Sequence, residues 1–409
     1  MEIREMDLKD YCCLNRNRFE IDPEQDAAWY FGNRQVSQEL LSRVKSDFLV
    51  RGVPKCGIFG RFGFGKTHTL YHLKYLFDKD SKTYPAVPFI MRINPYDETT
   101  KGLSGWKYIH GKMLDAIGET FLREIVREFD NLPSSRTTEL SFEMMKVFKF
   151  GDENLKASLA NLLSAFFLRE VKSTLPAWQW LRADKITKSG DLEDKGVKKM
   201  LDTGGDMLNV VLNIGNLVRR VRGSGIVFFM DEAQALSEVK KRQTEIHDAF
   251  LQLAEPDNTD VGFVFAYFGT GVTAIPKVIS QPDDILSRLG VSQSNIHLAI
   301  KDLLRLISTK KDLKDFIKEV LDALINKDKA KNLIDNLNLK SVKPEQLPFT
   351  QEALDRTVEV LYEKEPNRNA RMIINTLATL SAEAYQKGKQ LNKYIVADRD
   401  FIEPLIKDL

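Results

Sequence analysis

The chain has few cysteines, few histidines and almost no net charge. It holds three Cys and five His among 409 residues, and neither residue type shows the spacing of a metal site. Cys12 and Cys13 are adjacent, which disfavours a disulfide between them and favours a reducing compartment. The formal net charge of +2 gives no overall polyanion-binding signature, so nucleic-acid binding would need a local basic patch.

Long apolar runs are also missing. No stretch approaches the roughly 18 consecutive apolar residues that span a bilayer, and residues 1–10 alternate acids and bases without the apolar region of a signal peptide. We therefore expect a cytoplasmic protein with no membrane partner. A content of 43% hydrophobic and 29% charged residues is typical of a globular protein, and the length predicts two or three domains.

One motif near the N-terminus has the pattern G-x-x-x-x-G-K-[ST]. Its residues are Gly60, Arg61, Phe62, Gly63, Phe64, Gly65, Lys66 and Thr67. The glycines let backbone amides curl around a β-phosphate. Lys66 places a positive charge on the β- and γ-phosphates, and Thr67 offers its hydroxyl to Mg²⁺. The flanking apolar strand and helical pattern favour a phosphate-binding loop over the alternative, a glycine-rich turn that binds nothing.

A pair of acids forms a second signature. The apolar run at residues 225–230 ends in Asp231 and Glu232. At the carboxyl end of a buried strand, Asp231 can hold the hydration shell of Mg²⁺, and Glu232 can orient or deprotonate an attacking water. The alternative is that Asp231 caps the next helix, and both roles are compatible.

Three further residues are candidates for contact with a γ-phosphate. Thr270 follows the apolar run at residues 262–268 and could sense that phosphate or align water. Arg288 could reach a neighbouring subunit's site as an arginine finger, and Arg371 could reach the phosphate from the C-terminal region. Simpler roles stay open for all three, namely a turn with a helix cap, a surface arginine and a helix-capping arginine.

The apolar patterns predict an α/β fold with a parallel sheet. Continuous apolar runs indicate strands covered on both faces, and the prolines of the second strand predict that it lies at a sheet edge. Helical spacing at residues 102–222 predicts a helical insertion between two strands, and no strand pattern follows about residue 301. The predicted domains are an N-terminal extension (1–27), an α/β core (28–300) and an all-α lid (301–409).

Two tryptophans of the insertion and two basic clusters, one at its end and one beyond it, have two interpretations each. Trp178 and Trp180 are expected to anchor a core or an interface rather than to stack on bases. The basic residues at 219–222 and 240–242 could touch phosphate backbones, although a solvated helix face explains such clusters more often.

Taken in order, these elements resemble those of the AAA+ ATPases. The phosphate loop and the acid pair fall where that family has its Walker A and Walker B motifs; Thr270, Arg288 and Arg371 match sensor 1, the arginine finger and sensor 2. Tyr30, Phe31, Gly32, Asn33 and Arg34 look like a short motif of the origin-recognition and STAND-like branches, which lies over the adenine. The bulky Phe62 and Phe64 depart from the family pattern, as does the long insertion.

The insertion and the acid pair also suggest particular branches of the family. The segment at residues 178–182 is similar to ATP-binding proteins of bacterial phage-defence islands, and residues 231–234 resemble transposon-targeting AAA+ regulators. The resemblance implies a homo-oligomeric switch or motor that hydrolyses ATP-Mg between core and lid, on DNA or with a protein partner. A nucleotide-gated scaffold or sensor with little turnover stays open, as does a small-molecule kinase.

Overall fold

A computed structural model shows how the chain is organised. It describes residues 2–31, 34–94, 104–132, 140–168, 174–184, 190–238, 243–255, 257–269, 284–289, 291, 297–339, 341–364 and 369–406. These residues form two compact units. The sheet unit comprises residues 40–59 and 73–301, and the lid unit comprises residues 1–39, 60–72 and 302–409. The domain boundaries that the sequence suggests stay predictions.

Helices and strands follow one another along the chain. The described helices are α1 Leu8–Tyr11, α2 Arg34–Arg51, α3 Lys66–Lys79, α4 Gly105–Asp130, α5 Leu140–Val147, α6 Glu153–Leu162, α7 Leu175–Leu181, α8 Gly190–Glu193, α9 Gly204–Arg222, α10 Ala235–Glu238, α11 Gln243–Ala254, α12 Asp284–Arg288, α13 Lys310–Leu324, α14 Lys327–Leu337, α15 Gln351–Lys364, α16 Ala370–Leu391 and α17 Arg399–Ile406. The described strands are β1 Lys55–Gly60, β2 Ala86–Arg92, β3 Gly225–Asp231, β4 Val261–Phe268 and β5 Ile300–Asp302.

The five strands form one sheet in the order β2-β3-β4-β1-β5. β3 pairs in parallel with β2 on one side and with β4 on the other. The α/β fold with a parallel sheet is confirmed, and so is the edge position of β2 that its prolines predicted. Every residue of β1 and β3 is buried, as continuous apolar runs require of strands covered on both faces. The three-residue strand β5 was not predicted.

Helices α4 to α9 lie between β2 and β3, which confirms the helical insertion. Trp180 is fully buried there, and its indole N–H donates to the Lys199 carbonyl at 2.8 Å. Arg219 donates to Asp260 at 2.9 Å and Arg222 to Glu128 at 2.6 Å. These two arginines are therefore engaged within the chain, whereas residues 240–242 lie outside the described residues.

The lid unit has its own apolar core, to which the N-terminal segment contributes. The hydroxyl oxygen of Tyr11 lies 3.0 and 2.8 Å from the carbonyl oxygens of Ala384 and Ile395, either of which accepts its single proton, and it accepts the Ile395 N–H at 2.9 Å. Leu14 forms an antiparallel bridge with Ile325. Residues near the N-terminus are thus part of the lid unit.

No helix in the described part of the chain is long and apolar enough to cross a membrane.

Candidate nucleotide site

The phosphate loop connects β1 to α3 and belongs to the lid unit. Gly63 and Gly65 have φ values of 80° and 78°, a left-handed conformation that glycine adopts without steric cost. Lys66 begins α3 and is 6% exposed, and its ammonium donates to the carbonyls of Gly60 and Arg61 at 3.0 Å each. The loop is therefore closely wound, and the first turn of α3 starts directly after it, as anion-binding loops require.

Arg371 lies next to this loop. Its backbone N–H donates to the Gly63 carbonyl at 3.2 Å, and its side chain is exposed. Asn369 caps α16 by accepting the Met372 N–H at 2.8 Å. A Cβ on Gly63 would lie 2.6 Å from the Asn369 side-chain oxygen and 3.0 Å from Arg371 Cβ. The start of α16 thus packs against the backbone of Gly63 and leaves no space there for a side chain.

These residues fit the phosphate chain of a nucleotide. An anion is bound well by backbone amides at a helix start, by a lysine and by an arginine. The structure brings together the predicted phosphate ligands of the lid unit. They are Gly60, Gly63, Gly65, Lys66, Thr67 and Arg371.

The predicted adenine motif packs along α3. Phe31 is 5% exposed, with its ring centroid 5.1 Å from that of His68 and 6.1 Å from that of Phe316. Tyr30 lies 5.1 Å from His72, also between ring centroids. Gly32 and Asn33 of the motif lie outside the described residues. Phe31 is thus packed in the apolar core of the lid unit, and a contact of Tyr30 or Phe31 with adenine stays a prediction.

The exposed aromatic residue beside this motif is Trp29, which sequence reasoning missed. It is 45% exposed, and its carbonyl is 2.6 Å from Nε2 of His68, the residue after Thr67. Burial lowers the pKa of His68, so the ring is held neutral and Nε2–H donates to that carbonyl. The backbone of Trp29 is therefore hydrogen-bonded to the first turn of α3, while its aromatic side chain is exposed.

The acid pair belongs to the sheet unit. Asp231 is the last residue of β3 and is 2% exposed, and its carboxylate accepts the Glu232 N–H at 3.0 Å. Glu232 has a φ of 58°. Residues other than glycine adopt this conformation rarely, and they do so often at functional sites. The chain thus turns sharply at the end of β3 and leaves the Glu232 side chain half-buried.

Gln234, two residues further on, contacts both the acid pair and β4. Its amide nitrogen donates to Glu232 Oε2, and its amide oxygen accepts the Phe268 N–H at 2.8 Å. Gln234 lies in the segment noted for its resemblance, but residue type alone did not predict this contact, because only the folded chain pairs β3 with β4.

The two remaining candidates are Thr270 and Arg288. Thr270 lies outside the described residues. Arg288 ends α12, and its guanidinium forms an ion pair with Glu255 of the same chain at 2.9 Å. The fully buried Lys55 donates to the Glu255 carbonyl at 2.7 Å. Arg288 is therefore held by a backbone segment that is itself anchored in the core of the sheet unit.

Comparisons with known proteins add little to this description. No family model and no curated protein matches the chain. Among solved structures, it is similar to the Orc1 protein of Aeropyrum pernix, determined in complex with DNA, with 9% identity and a TM-score of 0.42. The alignment covers 93% of this chain and 66% of that protein. At this identity and TM-score, the similarity supports no conclusion about function.

Proposed function

We propose that the chain binds ATP with Mg²⁺ and hydrolyses it as an AAA+ ATPase. The observation that carries the proposal is the contact between the phosphate loop and Arg371, because the Arg371 N–H donates to Gly63 at 3.2 Å. The lysine of the loop and the arginine of α16 can then act on one phosphate chain. The loop follows β1 and the acid pair ends β3, and both strands belong to one sheet.

Each residue has a defined role in this proposal. Lys66 and Arg371 bind the phosphates and balance the negative charge on the phosphoryl group that is transferred. Thr67 and Asp231 would hold Mg²⁺, which would neutralise charge on the β- and γ-phosphate oxygens. Glu232 orients or deprotonates the attacking water. Catalysis comes from positioning and charge neutralisation, with Thr270 as a further aligning group.

A homo-oligomer acting on DNA or on a protein partner is the wider form of this proposal. A role in phage defence or another DNA transaction stays a prediction. The experiment combines particle mass and phosphate release, each with and without a non-hydrolysable ATP analogue and duplex DNA. Stimulation by DNA that weakens steeply with salt supports a DNA partner. No binding of adenine nucleotides in the presence of Mg²⁺ would contradict the whole proposal.

One observation favours a second function, a nucleotide-gated sensor with little turnover. The ion pair between Arg288 and Glu255 occupies the guanidinium within its own chain, so this arginine does not serve a neighbour's site in the arrangement described. Such a chain would bind ATP and change its partner contacts with slow hydrolysis. Phosphate release that stays negligible at all protein concentrations, despite tight ATP binding, would favour this function.

Replacing Arg288 with alanine should separate hydrolysis from binding. If Arg288 stabilises charge on a neighbour's γ-phosphate, kcat falls at least 1,000-fold while ATP affinity is kept. The specific activity of the parent rises with protein concentration, and that of the variant does not. Steady-state phosphate release over a concentration series measures both quantities.

Arg43 offers a matched control, because its guanidinium donates to the Leu289 carbonyl beside Arg288. Arg43→Ala disturbs the same region without removing the proposed finger, so the concentration dependence should persist. If Arg288→Ala keeps the parent's rate and its concentration dependence, the shared site is excluded.

We propose that the exposed indole of Trp29 stacks on the adenine base, so its replacement with alanine should weaken ATP binding through the base alone. A stacked aromatic residue contributes about 1–3 kcal/mol per base, so the Kd for ATP should rise roughly tenfold. The Kd for inorganic tripolyphosphate, which has no base, should stay the same. Calorimetric titration with both ligands checks this.

Phe142→Ala is the control for Trp29, because Phe142 is similarly exposed, at 49%, and lies in the insertion. An equal loss of affinity for ATP and for tripolyphosphate in Trp29→Ala would mean that the substitution disturbs the phosphate loop. No loss for either ligand would exclude Trp29 from the base site.

A further inference from the structure

The side chain of Gln234 links the acid pair to the neighbouring strand. Its amide nitrogen donates to Glu232 Oε2 while its amide oxygen accepts the Phe268 N–H at 2.8 Å. Phe268 is the last residue of β4. One carboxamide thus uses both of its ends, one on the carboxylate and one on the sheet.

The backbone around Gln234 fixes this arrangement. Glu232 is in the left-handed region, with a φ of 58°. The Ala233 N–H donates to the Ala266 carbonyl of β4 at 2.8 Å, and the Ala235 N–H donates to the Glu232 carbonyl at 3.0 Å. The turn after β3 is therefore hydrogen-bonded to β4 through its backbone as well as through Gln234. Gln234 is half-buried, so these contacts are not those of a freely moving surface side chain.

The Glu232 carboxylate has a second oxygen. Among the described residues, no hydrogen bond reaches Oε1 of Glu232. The amide of Gln234 holds one oxygen and so sets the direction of the other. Being neutral, the amide orients the carboxylate without forming an ion pair with it.

We propose that Gln234 is a positioning residue that ties the Glu232 carboxylate to the end of β4, so that the second oxygen points at the attacking water. The inference rests on the proposed ATPase function and adds a residue to it.

Gln234→Ala tests this proposal because it should lower kcat and leave nucleotide affinity unchanged. A carboxylate that loses its orientation should lower kcat between about 10- and 100-fold, while the Kd for a non-hydrolysable ATP analogue stays the same. In the Glu232→Gln background the same substitution should have no further effect, because residues that act through one group are not additive.

Gln234→Glu separates positioning from a purely structural role. Glutamate keeps an oxygen for the Phe268 N–H but places a second carboxylate beside Glu232. Two neighbouring carboxylates repel each other, so the Glu232 carboxylate loses its hydrogen bond and kcat falls, while the Kd for the non-hydrolysable ATP analogue stays the same. A residue that served only to anchor Phe268 keeps that contact in Gln234→Glu, so kcat would equal that of the parent.

Several outcomes would overturn the inference. A kcat for Gln234→Ala equal to or above that of the parent would do so, and so would an equal additional loss in the Glu232→Gln background. Gln386→Ala, on the exposed face of α16, is the control for a generic glutamine substitution. Parent activity is compared with Lys66→Ala first. A parent with no activity above that variant removes the proposed function and this inference together, whereas an active parent with an unaffected Gln234→Ala removes only the inference.

Discussion

Replacing Lys66 with alanine is expected to weaken ATP binding by about 100-fold or more and to abolish hydrolysis. A hydrogen bond to a charged group contributes about 1.5–3 kcal/mol, and a loss of about 3 kcal/mol is roughly 100-fold in Kd. Lys66 is 6% exposed, and its ammonium holds two loop carbonyls at 3.0 Å. The substitution therefore removes the phosphate ligand and loosens the loop. Calorimetry with ATP-Mg and with tripolyphosphate should show parallel losses.

Lys74→Ala is the matched control on the same helix. Lys74 pairs with Asp78 at 2.6 Å, with its side chain 37% exposed, and it has no place in the proposed site. Its removal should leave the Kd for ATP within a factor of about two, because exposed ion pairs contribute little. Unchanged thermal unfolding of both variants excludes global damage. If Lys66→Ala binds ATP like the parent, the loop is a turn without a phosphate ligand.

The sequence predicted the parts of the fold that depend on local patterns. Continuous apolar runs identified β1, β3 and β4, because burial on both faces leaves few polar positions within a strand. The proline in β2 predicted a sheet edge, because a central strand needs every N–H. The strand β5 has only three residues, two of which are Lys301 and Asp302, so no apolar pattern could show it.

The candidate site could be predicted only where its residues form a motif. The loop and the acid pair are contiguous in sequence, and their chemistry follows from residue type and order. Trp29 and Gln234 have roles that depend on distant partners, namely His68 for the first and Phe268 for the second. Such pairings arise from the fold, so neither residue could be distinguished from an ordinary aromatic or amide side chain.

Two groups of residues have different proposed roles. The first comprises the phosphate loop and Arg371, and the second comprises Asp231 and Glu232. Substitutions in the first group should change affinity, and substitutions of Glu232 should change the chemical step. Measuring Kd and kcat for variants of both groups therefore tests whether binding and hydrolysis are separable in this chain.

Glu232→Gln should give a protein that binds ATP like the parent but hydrolyses it about 100- to 1,000-fold more slowly. A general base contributes roughly 100- to 10,000-fold, and an amide orients water but cannot accept its proton. Glutamine has the shape of glutamate and can still accept the Gln234 amide, so the turn with a φ of 58° is kept. Single-turnover phosphate release measures the chemical step, and equilibrium titration with ATP measures the affinity.

Glu352→Gln is the control for this prediction. Glu352 lies exposed in the first turn of α15, and the loss of its charge should leave both constants unchanged. A kcat for Glu232→Gln equal to that of the parent would remove Glu232 from its role as base. A parallel loss of affinity and rate would instead mean that the substitution disturbs the end of β3. A slow chemical step with an unchanged Kd is the result that agrees with a water-activating carboxylate at this position. The reason is that such a carboxylate acts on the attacking water and not on the bound phosphates.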